Sequence, residues 1–188
     1  ANHERQLLSA GRTTLDSVVI THTGSLALDR ITKREPVPNG IVAHSGTGHG
    51  VTIYVFDGGV AENHPELAGR VRIGFDAFPS DPRICNAHGT AVAGAAAGAT
   101  LGVAREAAIV DVKIIDCARK RGSIEAIIDA ARWTARDYSR HPGHPAIANW
   151  SFVVDTSRVV PGIDSAIAIL RNAGILVVAS AGNFDIDA

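Results

Sequence analysis

Val51-Thr-Ile-Tyr-Val-Phe-Asp57-Gly-Gly59 is the stretch on which the fold turns. Its first six residues are all β-branched or aromatic, a composition suited to a strand covered on both faces. The run stops at an acid followed by two glycines, so residues 51–56 read as a buried strand presenting Asp57 at its carboxyl end. Outward from it, residues 71–75, 107–115, 146–151 and 175–181 repeat the same kind of run, the first of them more weakly.

Helical patterns alternate with these strands. Residues 88–97 form a small-residue helix whose Ala and Gly positions permit close approach to a sheet. Ser123 is a good N-cap, and Ile124, Ile127, Ile128, Ala131 and Ala135 then fall on one helical face. Ile163, Ala166, Ile167 and Leu170 repeat that spacing, with Gly174 as the stop. The alternation predicts an α/β domain: three layers, a mostly parallel sheet with crossover helices. Residues 1–50 are polar and rich in Gly and Pro without sustained periodicity, and read as an extended arm ahead of the sheet.

Composition narrows the function class. With 188 residues, 46% hydrophobic, and a formal net charge of -1, the chain can bury one core and carries no run of one sign. A nucleic-acid or membrane-surface partner is not expected. No apolar stretch approaches membrane-spanning length, and none has the form of a signal peptide. The sequence lacks Met and begins at Ala1, so a processed form or a piece of a longer chain is expected. Cys85 and Cys117 are too few for a disulfide scaffold and lack zinc-site spacing; by themselves they leave open one bridge or two buried thiols.

Catalytic groups of parallel sheets gather beyond the carboxyl ends of strands. Three polar residues sit at such places: Asp57 ends one strand, His88 opens a helix, and Asn183 follows the last strand. An Asp and a His alone would signal little. Their surroundings add weight: His64-Pro-Glu-Leu67, Asn86-Ala-His88-Gly-Thr-Ala-Val-Ala-Gly94, Gly102-Val-Ala104, Val112-Lys-Ile-Ile-Asp116 and Ala179-Ser-Ala-Gly-Asn183 follow the first stretch in order. Together these motifs resemble the subtilisin-like serine proteases, the proteinase K branch in particular, from about Leu26 onward.

The resemblance implies an Asp-His-Ser triad in which Asp57 orients His88, His88 is the general base, and Asn183 donates to the oxyanion. It also implies that Ser151, Phe152, Val153, Ala181 and Gly182 line the substrate site, and that Cys85 and Cys117 form a disulfide. A protein or peptide substrate, an inhibitory propeptide, a secreted, extracellular location and a monomeric state are the corresponding expectations. Asp16-Ser-Val-Val-Ile20 resembles the end of such a propeptide and Leu26-Ala-Leu-Asp-Arg-Ile31 the region near a mature N-terminus. Residues 1–24 are therefore expected to be a propeptide tail or N-terminal extension, and 25–188 the N-terminal part of the catalytic domain. Calcium is implied as a ligand of the family without residues to assign. The calcium loop that some subtilisins insert into the His helix is absent. His141-Pro-Gly-His144 reads as a turn with two exposed imidazoles, not a metal pair.

The chain also departs from the family pattern. The nucleophile segment Gly-Thr-Ser is missing, and neither Ser45 nor Ser180 takes its place, so the 188 residues alone are expected to be inactive. Gly58 stands where Ser or Thr is usual, Ala91 where a second His is common, and Ser151-Phe-Val-Val154 where the family shows Ser-Leu-Gly-Gly. Arg119-Lys-Arg121 borders the expected groove as a solvated basic loop or a site for acidic substrate side chains. The alternative function is a non-catalytic module of the same fold that binds peptide or another protein. A nucleotide-binding reading is weaker, because Gly46-Thr-Gly-His-Gly50 precedes a strand, whereas phosphate-cradling glycines follow one.

Overall fold

The computed structural model describes residues 18–22, 25–32, 41–153 and 161–183. Two compact units divide between Gly46 and Thr47. In the first, β1 (Val18–His22) pairs antiparallel with β2 (Ile41–Ser45), and α1 (Leu26–Thr32) lies between them in sequence. Leu28 and Val42 are its buried apolar side chains among the described residues. The extended arm expected over residues 1–50 is thus corrected for its described part. Each strand is only five residues long, too short to show a period, and their pairing is not local.

The second unit is a five-stranded parallel sheet in the order β4-β5-β3-β6-β7. Its strands are β3 (Thr52–Asp57), β4 (Val71–Asp76), β5 (Ala108–Lys113), β6 (Ala146–Trp150) and β7 (Leu176–Ala179). Its helices are α2 (His88–Ala97), α3 (Ile124–Ser139) and α4 (Pro161–Asn172). The chain builds β4 and β5 to one side of β3, then β6 and β7 to the other. The order therefore reverses at β3, and Asp57 stands at its carboxyl end, where such sheets place their ligands.

Alternation along β3 divides the core. Tyr54 and Phe56 join Val110, Val112, Trp150, Ile127 and Leu170 under α3 and α4. Ile53 and Val55 face the other way, with Ile109, Ala93 and Ala97 of the α2 layer. Ser123 caps α3, its hydroxyl accepting from the Ala126 N–H at 3.1 Å. The buried stripe of α3 does not stay on the apolar residues: it runs on to Thr134 and Asp137. There the Tyr54 hydroxyl donates to Asp137 at 2.9 Å and Arg72 pairs with the same carboxylate at 2.6 Å. Burial and that neighbouring carboxylate push the Tyr54 phenol well above its ordinary range.

Candidate active site

The site begins with a strand end meeting a helix start. Asp57 is buried, its Cα registered against Lys113 on β5. His88 opens α2 with its ring Nδ1 at 2.8 Å from Asp57 Oδ2, while the other carboxylate oxygen accepts from the Gly58 N–H at 2.7 Å. Both oxygens of the acid are thus occupied. The His88 side chain is 56% exposed, against 6% for Asp57. A neutral ring that donates from Nδ1 leaves Nε2 as the basic nitrogen.

Small residues let the helix come this close. A Cβ on Gly89 would stand 2.6 Å from the Gly59 carbonyl oxygen and 3.0 Å from Asp57 Cβ and Cγ, so no other residue fits without moving α2. Asn86 shapes the entry to the helix, its side-chain oxygen accepting from the His88 N–H at 2.8 Å. Thr90, two residues on, accepts from the Ala61 N–H at 3.0 Å and ties α2 to the loop after Asp57.

Two loops meet beside the pair. The Cys85 N–H donates to the Gly58 carbonyl at 2.8 Å, and Gly59, at φ +107°, leaves room for the Arg83 carbonyl. Cys85 and Cys117 are joined as a disulfide with Cα atoms 4.8 Å apart. A Cβ at position 58 would lie 3.3 Å from Cys85 Cβ and 3.7 Å from its sulfur. Glycine at 58 relieves that crowding, and its own N–H supplies a bond to the acid.

The remaining expected residues lie at the carboxyl ends of β6 and β7. Ser151, Phe152 and Val153 follow Trp150, and Ser180 to Asn183 follow Ala179. The two segments run side by side: the Ser180 N–H donates to the Trp150 carbonyl at 3.0 Å and its hydroxyl to the Phe152 carbonyl at 3.1 Å. Ala181 and Asn183 are exposed and Gly182 is half-buried. The structure brings Asp57 and His88 into contact; none of its hydrogen bonds among the described residues joins Asn183 to them. Val154 lies outside the described residues.

A groove of about 500 Å³ is lined by Gly122, Ile124, Ile127, Phe152 and Val153, together with Lys120 and Arg121. Arg119 turns to Asp116 at 2.5 Å. The Arg119 N–H and guanidinium hold that carboxyl below its ordinary range. His141 and His144 are exposed, as on a turn. Among the described residues, no three or more His, Cys, Asp and Glu side chains are grouped to hold a metal ion. None of these residues forms a helix long and apolar enough to cross a membrane.

Sequence reasoning missed a buried charge cluster behind the acid. Asp111 is fully buried on β5; its Oδ2 accepts from the Val60 N–H at 3.0 Å and pairs with Arg83. Burial pushes its carboxyl up to about 6 against the opposing pull of the Val60 N–H and Arg83. Lys113, also fully buried, donates to the Phe78 carbonyl at 3.2 Å and lies 3.4 Å from Asp76. The available signal was two charged residues at alternate positions of an otherwise apolar strand.

The subtilase family model matches residues 48–188. The chain is 36% identical over 163 residues to a protein named extracellular serine proteinase from Thermus sp. (strain Rt41A), covering 86% of this chain and 38% of that one. It is 38% identical over 162 residues to subtilisin-like protease 3 of Trichophyton tonsurans, covering 86% of this chain and 40% of that relative. Among solved structures it resembles a cold adapted subtilisin-like serine proteinase, with a TM-score of 0.75 at 32% identity, covering 87% of this chain and 57% of the other. The chain thus spans about two-fifths of the length of these curated relatives. A match over three quarters of its residues, together with this likeness in fold, places it: the chain belongs to the subtilase family.

Proposed function

We propose that residues 25–188 are the N-terminal part of the catalytic domain of a secreted serine endopeptidase, residues 1–24 being the tail of an inhibitory propeptide. The nucleophilic serine comes from outside residues 1–188, and this stretch alone is inactive. One observation carries the reading: a buried carboxylate 2.8 Å from the Nδ1 of a half-exposed imidazole. Asp57 fixes the tautomer, so that Nε2 of His88 can take the hydroxyl proton of a serine as it attacks a peptide carbonyl. His88 then returns that proton to the leaving amine, and the acyl-enzyme is hydrolysed by the reverse sequence. Asn183 donates to the oxyanion, a bond made chiefly in the transition state. Ser151 to Val153 and Ala181 with Gly182 hold the substrate backbone, and Val153 narrows the groove and alters side-chain preference. The relative named extracellular and the Cys85–Cys117 bridge both fit an oxidising compartment.

The test is to express the full reading frame that contains this chain and allow processing. A serine-directed fluorophosphonate should label the product, and the product should hydrolyse casein. Asp57→Asn should lower kcat by about 10⁴-fold, and Asn183→Ala by roughly a hundredfold with KM little changed. Residues 1–188 alone should do neither. A folded, processed product that neither labels nor hydrolyses casein overturns the reading in favour of a non-catalytic peptide-binding module.

A further inference from the structure

We infer that Asp111 is a positioning residue for the Asp57–His88 pair, holding together the loop that leaves Asp57 and the loop that enters His88. The inference rests on the reading of that pair as the general base. Asp111 reaches both loops through one oxygen. Its Oδ2 accepts from the N–H of Val60, three residues after Asp57, and pairs with Arg83, five residues before His88. The loops touch directly at two further points, the Cys85 N–H to the Gly58 carbonyl and the close approach of the Arg83 carbonyl to Gly59.

Position in the sheet explains why one carboxylate can do this. Asp111 is registered against Val55, two residues before Asp57, and shares that face of the sheet. It therefore lies behind the acid, where its reach along the strand direction ends at the two loops. Burying a carboxylate costs free energy even when it is hydrogen-bonded and paired, so Asp111 sits behind the acid at the expense of stability. Here the charge is matched by Arg83, whose guanidinium also lies 3.5 Å from Asp76. Freed of Asp111, the 77–87 loop would keep the disulfide as its covalent tether, but Arg83 would lose its buried anchor. The His88 ring, which has a single carboxylate contact and is otherwise half in solvent, would then be free to swing.

The charged groups facing Asp111 are Asp57 on β3, Asp76 at the end of β4 and Arg83 on the loop, with Lys113 beside it on β5. These supply a sign test. Asp111→Asn removes a negative charge and Arg83→Gln a positive one, so a through-space field would move the pH midpoint of the His88 ring-proton shifts in opposite directions. Loss of positioning moves it down in both, because a loosened carboxylate stabilises the imidazolium less.

The experiment uses the product of the full reading frame, with the low-field Nδ1 proton of His88 assigned by its loss in His88→Ala. Both variants are expected to move that resonance upfield and to lower the midpoint by about half a unit or more. The double variant should lose no more than either single one, and Arg83→Lys should restore most of the shift. In a product that cleaves casein, kcat should fall about tenfold with KM unchanged. Opposed midpoint shifts, or wild-type signals in variants that circular dichroism shows to be folded, overturn the proposal. If Asp111→Asn fails to fold, Arg83→Gln and Arg83→Lys decide it alone. The NMR arm reads the pair whether or not peptide is cleaved, so a failed peptidase reading is told apart from failed positioning.

Discussion

The two faces of β3 are built to different specifications. Toward α3 and α4 the strand presents Tyr54 and Phe56, packed with Trp150, Val112 and Leu170 into large apolar volume. Toward α2 it presents Ile53, Val55 and Asp57, met by a helix of Gly and Ala and flanked by the buried charges of Asp111 and Lys113. The first face gains stability from side-chain bulk. On the second, bulk is given up so that backbone can approach backbone, and charges are buried so that one imidazole is aimed. Bulk thus dominates the side that carries Tyr54, where the one buried acid is Asp137 among the described residues of α3, and close backbone approach dominates the side that carries Asp57.

Truncation on the packed face should show the largest effect. Trp150 stacks on Phe152 at 5.4 Å and lies 5.6 Å from Phe56. Trp150→Ala should cost about 3–5 kcal/mol, read as a lower denaturant midpoint at unchanged m-value. A cost below about 1 kcal/mol would break the division of labour.

Asp111 gives the opposite kind of signature. Its folded-state carboxyl titrates near 6, above the ordinary 3.8, so the protein is stabilised by this group below pH ~4 and loses that contribution as pH rises through 6. Asp111→Asn abolishes the term. The stability of the variant relative to wild type should therefore improve by about 3 kcal/mol between pH ~4 and pH ~7, measured by denaturation at each pH. A flat difference across that range would show that the buried charge is not held at a cost.

Close approach is tested by Gly89→Ala. The added methyl meets the Gly59 carbonyl oxygen at 2.6 Å, so α2 must retreat. The expected cost is about 1–3 kcal/mol, together with an upfield move of the His88 Nδ1 proton. An unchanged resonance in a stable variant would mean that the helix does not need glycine to bring His88 to Asp57.

The same contrast governs what could be read from the residues alone. The five parallel strands and three helices of the second unit were legible, because the strands are short apolar runs rich in Val, Ile and aromatics and bounded by polar or Gly residues, and Ser123 marks its helix start. Asp57 and His88 were legible from the motifs around them, and their contact follows from the strand end meeting the helix start. What escaped depends on partners distant in sequence. β1 and β2 are five residues each, and their antiparallel pairing has no local signature. Asp111 is one acid in an apolar strand until Arg83, 28 residues earlier, folds against it. The apolar spacing of α3 points to Ala135, whereas the buried face runs through Thr134 and Asp137, because Tyr54 and Arg72 offer that acid partners no helix wheel contains.

The smallest expected effect belongs to Ser123, on the packed side, and it sharpens the comparison because it too carries a pH dependence, of opposite sign to that of Asp111. The hydroxyl accepts from the Ala126 N–H, and it also acts on Glu125, whose carboxyl is held below its ordinary range first by its own backbone N–H and then by this hydroxyl. Ser123→Ala should cost about 1 kcal/mol at neutral pH, the usual loss for an N-cap. A depressed carboxyl contributes stability above its unfolded titration range and loses it as pH falls through the folded one. The penalty of Ser123→Ala should therefore shrink as the protein is acidified, since protonated Glu125 no longer rewards the hydroxyl, leaving only the bond from Ala126. Denaturation at neutral pH and again below the glutamate range measures both parts. A penalty that grows on acidification would mean that the hydroxyl serves the neutral acid, and the cap would then stabilise the start of α3 by a different bond.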